Sequence, residues 1–239
     1  MLNIVISIQT ADIQSAEAKR VINAINTQLK SHFGPLWHID ARLSLVTGPI
    51  SFENLAYGGV IIVADKANIE GALGYHDRIK KTGLPIGYVF QDICEELGEP
   101  WSVTLSHEVL EMVLNRHTNY YAIGPHPKEK TRNVIHWLEA CDAVQDQTYE
   151  INKVLVSDFI APLFFTPERE VNEKVNFLGT STLRSFECTA GGYLGFFDPK
   201  LGRDDTYFKA EAGRHRFEIK QKLKNLRRKE QALRSLRLL

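Results

Sequence analysis

An α+β fold follows from three features of the 239-residue chain. Its N-terminal part interleaves short apolar runs of strand length with a helical period, a long apolar helix follows from Trp101 to His117, and beyond Pro162 glycines and aromatics break any regular repeat.

Leu2 to Ile8 is a short apolar run and reads as a buried strand. Asp12 to Phe33 carries Ile13, Ala16, Val21, Ala24, Ile25 and Leu29 at helical spacing, and Gly34-Pro35 ends that helix. Ile39 to Val46 alternates Ile39, Ala41, Leu43 and Leu45 with Asp40, Arg42 and Ser44, the signature of a half-buried strand, which Gly48-Pro49 turns. Gly59 to Ala64 and Pro85 to Phe90 are further apolar strands. Between them lies Gly71-Ala72-Leu73-Gly74-Tyr75-His76. Alone it reads as a surface loop; beside an apolar helix it reads as an edge strand on which an extended peptide can pair through its backbone.

After Asn115, the segment 116–131 contains Gly124-Pro125-His126-Pro127 and is not one regular element. Arg132 to Gln145 is expected to be helical, with Val134, Ile135, Leu138, Cys141 and Val144 as apolar positions and His136, Glu139 and Asp142 on a shared face. Tyr149 to Ile160 reads as a strand or hairpin, and Pro162 to Asp198 as a loop-rich part. Phe217 to Leu239 is a last helix, with Ile219, Leu223, Leu226, Leu233 and Leu236 as an irregular stripe among basic residues. The expected division is a body over 1–208 and a separable basic tail over 209–239.

The helix from Trp101 carries the chemistry. His107 and Glu111 are four apart and share a face, while Glu108 lies about 100° round from His107. Leu105, Val109, Leu110, Met112, Val113 and Leu114 cover much of the remaining surface, so the helix is expected to be buried. Uncompensated buried carboxylates are costly, and a divalent cation removes the cost. The alternative is that solvent or other side chains satisfy the three groups. In the motif H-E-x-x-H two histidines bind zinc and the glutamate is the general base. Here the helix reads H-E-V-L-E, with Glu111 in the place of the second histidine.

On Ser106-His107-Glu108-Val109-Leu110-Glu111-Met112 the chain resembles the zincin-like metallopeptidases, as a gluzincin-like variant with H-E-x-x-E. Ala72 to His76 looks like the substrate-side edge strand of that group, Glu139-Ala140-Cys141-Asp142 like its downstream acidic segment, and Val156 to Phe159 and Gly191-Gly192-Tyr193 like further blocks. The resemblance implies a zincin-like fold over about the first 200 residues: a small mixed, twisted sheet with an edge strand, an active-site helix and a loop-rich C-terminal part. It also implies a metal-dependent peptidase in which Glu108 takes a proton from a metal-activated water that attacks a peptide bond. His107 and Glu111 would be two ligands. For the third, Glu139 resembles the downstream glutamate of the thermolysin-like branch, with Asp142 as a replacement or supporting group. His117 instead stands at the spacing of the third histidine in H-E-x-x-H-x-x-G-x-x-H. That branch needs a glycine where Leu114 stands and a later Met-turn, whereas the methionines here are Met1 and Met112, so Glu139 is preferred. Zinc is the expected ion, and the carboxylate-rich set also suits manganese or iron. Tyr149 or His136 would stabilise the oxyanion. The alternative is a catalytically inactive zincin-fold binding protein that joins a larger assembly through its basic helix.

Composition bounds these readings. With 44% hydrophobic and 24% charged residues the chain can build one sizeable core. No apolar run reaches membrane-spanning length, and the three cysteines stand at no ligand spacing, so a cytoplasmic protein without membrane contact is expected. A net charge of zero conceals an asymmetry: residues 209–239 hold eleven Lys/Arg against three Glu, leaving the body acidic by the same surplus of eight. Such a tail suits an acidic protein partner. Nucleic acid is less favoured, because Phe217 is its lone aromatic.

Overall fold

A computed structural model describes residues 1–50, 58–65, 74–78, 83–96, 98–166, 174–179, 183–215 and 217–218. Strand β1 (Leu2–Ile8) leads into α1 (Ser15–Gln28), a π-helical turn (Leu29–Phe33), the short α2 (Gly34–Trp37), β2 (Ala41–Thr47) and β3 (Gly59–Ala64). Then come β4 (Gly74–Arg78), β5 (Pro85–Phe90), α3 (Gln91–Glu96) and α4 (Trp101–Leu114). Among the described residues these five strands form one mixed sheet in the order β2-β1-β3-β5-β4. Its inner strands are parallel, and β4 runs antiparallel to β5 at the edge. The expected edge strand is therefore present from Gly74 onward, while 71–73 lie outside the described residues.

The period of two sorts β1 onto two layers. Ile4, Ile6 and Ile8 join Ile61, Val63 and Val89 in the core beneath Val21, Ile25 and Leu29 of the first helical stretch and Leu105, Val109 and Met112 of α4. Val5 points the other way and packs with Val60, Ile62 and Ile86. A strand apolar on both faces belongs inside a parallel sheet, which is where β1 lies. Each isoleucine or leucine buried this way contributes about 1.5–3 kcal/mol.

Gly34-Pro35 does not stop the first helix at once. The chain makes one further turn through Trp37, because a proline is tolerated in a first turn, and ends where His38 adopts φ 54°. A side chain at Gly34 would meet Leu29 O at 2.6 Å and Ile39 O at 2.7 Å, so glycine is what allows this return.

All residues of α4 are buried. Its polar members survive burial by bonding outward: Ser102 Oγ donates to Leu155 O (2.8 Å), and Ser106 Oγ accepts from Ser157 N (2.7 Å). Past its end, Asn115 Oδ1 accepts from the backbone of Asn119 and Tyr120, both at 3.0 Å, turning the chain sharply.

The second half is β6 (Tyr121–Pro125), β7 (Asn133–Trp137), β8 (Thr148–Ile151), β9 (Val154–Ser157), β10 (Tyr193–Asp198) and β11 (Arg203–Phe208). Among the described residues β11-β10-β7-β6 is an antiparallel sheet and β8-β9 a hairpin. Asn152 and Lys153, with φ 51° and 64°, give that hairpin the two-residue turn that matches strand twist. The expected helix over Arg132–Gln145 is not formed. Residues 133–137 are β7, the chain then bends, and Asp142–Val144 is a single 3-10 turn. Asn-Val-Ile-His-Trp is rich in β-branched and aromatic side chains with Val134 and His136 buried on one face, and pairing with β6 and β10 outweighs its helical spacing. His136, Glu139 and Asp142 consequently do not share a helical face.

Among the described residues between Pro162 and β10 are the 3-10 turn Pro162–Phe165 and an isolated bridge from Asn176 to Ile160. The tail begins as a helix over 211–215, and 217–218 are helical too. These turns pack on the body: a side chain at Gly213 would lie 2.4 Å from Gly192 O, and the Phe217 ring is 4.8 Å from that of Tyr193. The leucine stripe and most of the basic residues fall at 219–239, outside the described residues. Among the described residues no helix is long and apolar enough to cross a membrane.

Candidate metal centre

Two elements build the site. α4 presents His107 and Glu111 one turn apart, with His107 Nε2 3.0 Å from Glu111 Oε1. The irregular chain after β7 crosses this face and brings Asp142 Oδ1 to 3.4 Å from the same Nε2. His107, Glu111 and Asp142 are 5%, 4% and 8% exposed, so both carboxylates meet the imidazole away from bulk water.

The crossing segment is held by its backbone. Asn115 Nδ2 donates to Leu138 O (3.3 Å), Cys141 N donates to Glu111 Oε1 (3.4 Å), and Ile160 N donates to Ala140 O (2.8 Å). Gly191-Gly192 then lies against it. A side chain at Gly192 would sit 2.3 Å from Ala143 O, and Thr189 N donates to that same oxygen at 2.9 Å. Gln145 Nε2 closes the contact on Gly191 O at 2.8 Å.

Spacing alone does not reveal two members of the neighbourhood. The ligand atoms of His107, Glu111 and Cys141 all lie within 4.8 Å of one another. Cys141 is fully buried, and its thiol also reaches the His107 carbonyl at 3.9 Å. Tyr193 is the other. Burial holds its phenol well above the usual range, and the charges of Asp142, Glu111 and Glu139 together with a hydrogen bond to Asp142 act in the same direction. The neutral hydroxyl therefore donates to the Asp142 carboxylate. The adjacency of Cys141 to Asp142 and the Gly191-Gly192-Tyr193 block were the available signals, but neither states a contact.

The remaining expected residues fall as follows. Glu108 is 1% exposed on α4, beside His107. Glu139 is half-buried, and its charge is felt by Tyr193. His117 lies beyond the end of α4, half-buried, with Nε2 3.3 Å from Arg116 Nη2. His136 is on β7 between the rings of Phe186 and Phe196, its Nε2 3.0 Å from Pro125 O, and burial lowers it to about 4. Tyr149 belongs to another polar group: its hydroxyl accepts from Gln28 Nε2 (3.1 Å) and lies 3.0 Å from His32 Nδ1. Burial raises its phenol above the ordinary range. In these positions His136 and Tyr149 make contacts that serve packing.

The donor set fits a small divalent cation. Ligand bonds of about 2.1 Å in tetrahedral array separate donor atoms by about 3.4 Å. His107 Nε2 has Glu111 and Asp142 near that spacing, and among the described residues the trio whose ligand atoms are all mutually close is His107, Glu111 and Cys141. One imidazole with carboxylates suits zinc, and its hardness admits manganese or iron. Compared with known proteins, the chain matches no protein-family model, no curated protein and no solved structure.

Proposed function

We propose that this protein is a metal-dependent hydrolase of the peptidase kind that its α4 motif resembles, with His107, Glu111 and Asp142 as protein ligands. The observation that carries this reading is the buried His107 imidazole meeting a carboxylate from each of two elements, Glu111 Oε1 at 3.0 Å and Asp142 Oδ1 at 3.4 Å from its Nε2. A divalent ion held there supplies a Lewis acid and a water activated near neutral pH. Glu108, next to His107 on the helix, takes up the proton and returns it to the leaving amine. Glu139 adds a further negative charge that reaches Tyr193. Among the described residues edge strand β4 pairs on one side with β5, and its outer edge is where an extended peptide backbone would add. In this reading Asp142, the sequence's replacement candidate for Glu139, takes the third-ligand place ahead of Glu139 and His117.

A second reading rests on Cys141. If its thiolate joins His107, Glu111 and Asp142, four protein donors close the coordination sphere, as in structural sites. The protein would then be a metal-stabilised binding module. Metal analysis of the purified protein is expected to give about one ion per chain, and ion at 100 times its dissociation constant should stabilise the fold by about 2.7 kcal/mol. Glu108→Gln should keep the metal and lose hydrolysis of a peptide library. Absence of binding by zinc, manganese and iron overturns both readings; hydrolysis undiminished in Glu108→Gln overturns the role of Glu108.

A further inference from the structure

The metal-ligand loop is the innermost of three backbone layers. Asp142-Ala143 lies against Gly192, where a β-carbon would fall 2.3 Å from Ala143 O and 3.0 Å from Asp142 O. Gly192 lies in turn against Gly213, where a β-carbon would fall 2.4 Å from Gly192 O and 3.3 Å from the carbonyl carbon of Gly191. Glycine at both positions permits an approach that any side chain would prevent. Beside this stack three aromatic rings close on one another: Phe217 is 4.8 Å from Tyr193 and 5.1 Å from Phe208, and Tyr193 is 6.1 Å from Phe208. The Arg214 guanidinium covers the Phe208 ring at 4.8 Å. Tyr193, 7% exposed, is thereby fixed from the side of the tail while its hydroxyl faces Asp142.

We propose that the start of the C-terminal helix, through Gly213 and Phe217, is a positioning element of the metal centre: it holds Gly192-Tyr193 against the Asp142 loop and so sets metal affinity. The inference rests on the metal-binding reading above and adds to it a structural role for a segment whose sequence looks like a detached basic tail. Tyr193 orients Asp142 as an outer partner orients a ligand, fixing which oxygen faces His107. Loss of such partners costs metal sites about 10–100-fold in affinity. Phe217 acts one step further out, by restricting where the Tyr193 ring can lie.

The test is zinc affinity of the full-length protein, measured by competition with a chromophoric chelator, with thermal melting of the metal-free form alongside. Tyr193→Phe keeps the ring and removes the hydroxyl; it should weaken zinc about 10-fold or more while the metal-free melting temperature hardly moves. Phe217→Ala should weaken zinc in the same direction, Phe217→Tyr should restore it, and the double variant Tyr193→Phe/Phe217→Ala should lose less than the product of the two single losses. Phe217→Leu serves if Phe217→Ala fails to fold, and should give an intermediate loss. If wild type binds zinc and the Phe217 variants bind it equally well, the positioning role is wrong while the metal-binding reading stands. If wild type binds no zinc, manganese or iron, the metal-binding reading itself falls.

Discussion

Asp158 offers a pH test of how the helix that carries the site is supported. It follows Ser157, the residue whose backbone N–H bonds Ser106 of α4, and it is fully buried. Its Oδ2 accepts from Asn176 Nδ2 at 2.5 Å and its Oδ1 from Leu178 N at 3.2 Å. Burial nonetheless dominates and raises the carboxyl from 3.8 to about 6, with the hydrogen bonds to Asn176, Phe159 and Leu178 opposing. At about 1.4 kcal/mol per tenfold change in proton affinity, that rise is worth about 3 kcal/mol. The folded chain holds this proton more tightly than the unfolded chain. The contribution is therefore fully present below about pH 4 and lost as pH rises through about 6. For a chain of this size it corresponds to roughly 6–12 °C in melting temperature. Thermal melts of wild type and Asp158→Asn from pH 4 to pH 7.5 isolate the group, because other carboxylates titrate in both. Asn does not ionise, so any hydrogen bond it loses gives a constant offset. The difference should move in favour of Asp158→Asn by about 2 kcal/mol between pH 4 and pH 6.5 and then stay nearly level. A difference constant across that range would refute the argument that burial outweighs the hydrogen bonds.

Ser106→Ala removes the acceptor of the buried Ser157 N–H and should cost about 1–3 kcal/mol in denaturant unfolding, with metal stoichiometry unchanged. Cobalt substitution divides the two metal readings: no sulfur-to-cobalt charge-transfer band is expected if three ligands hold the ion, and a band that disappears in Cys141→Ser would establish the closed site. Glu111→Ala should lose the metal along with activity, whereas Glu108→Gln should lose activity alone, as elemental analysis of both variants will show.

Much of the architecture is written in local pattern. β1, β2, β3 and β5 are strands of the kind their apolar or alternating runs predict, because a period of two or a continuous apolar run is a direct imprint of which faces are buried. The His107–Glu111 pair was legible for the same reason: both residues lie on one helix, and helical geometry fixes their relation whatever surrounds them. The remaining site came from tertiary structure. Residues 133–137 fit a helical spacing and a strand composition equally, and the decision fell to pairing with the preceding strand β6 and with β10, which is distant in sequence. Once that segment became a strand, the chain after it was left to cross α4 as irregular backbone, and this crossing put Asp142 on His107 in place of any register along a helix. Cys141, Tyr193, Gly213 and Phe217 joined the same neighbourhood through loop closure and close backbone approach, neither of which leaves a periodic trace. The sequence by itself thus determined the half of the site that one helix carries. The half that depends on how separate segments meet was decided by long-range packing.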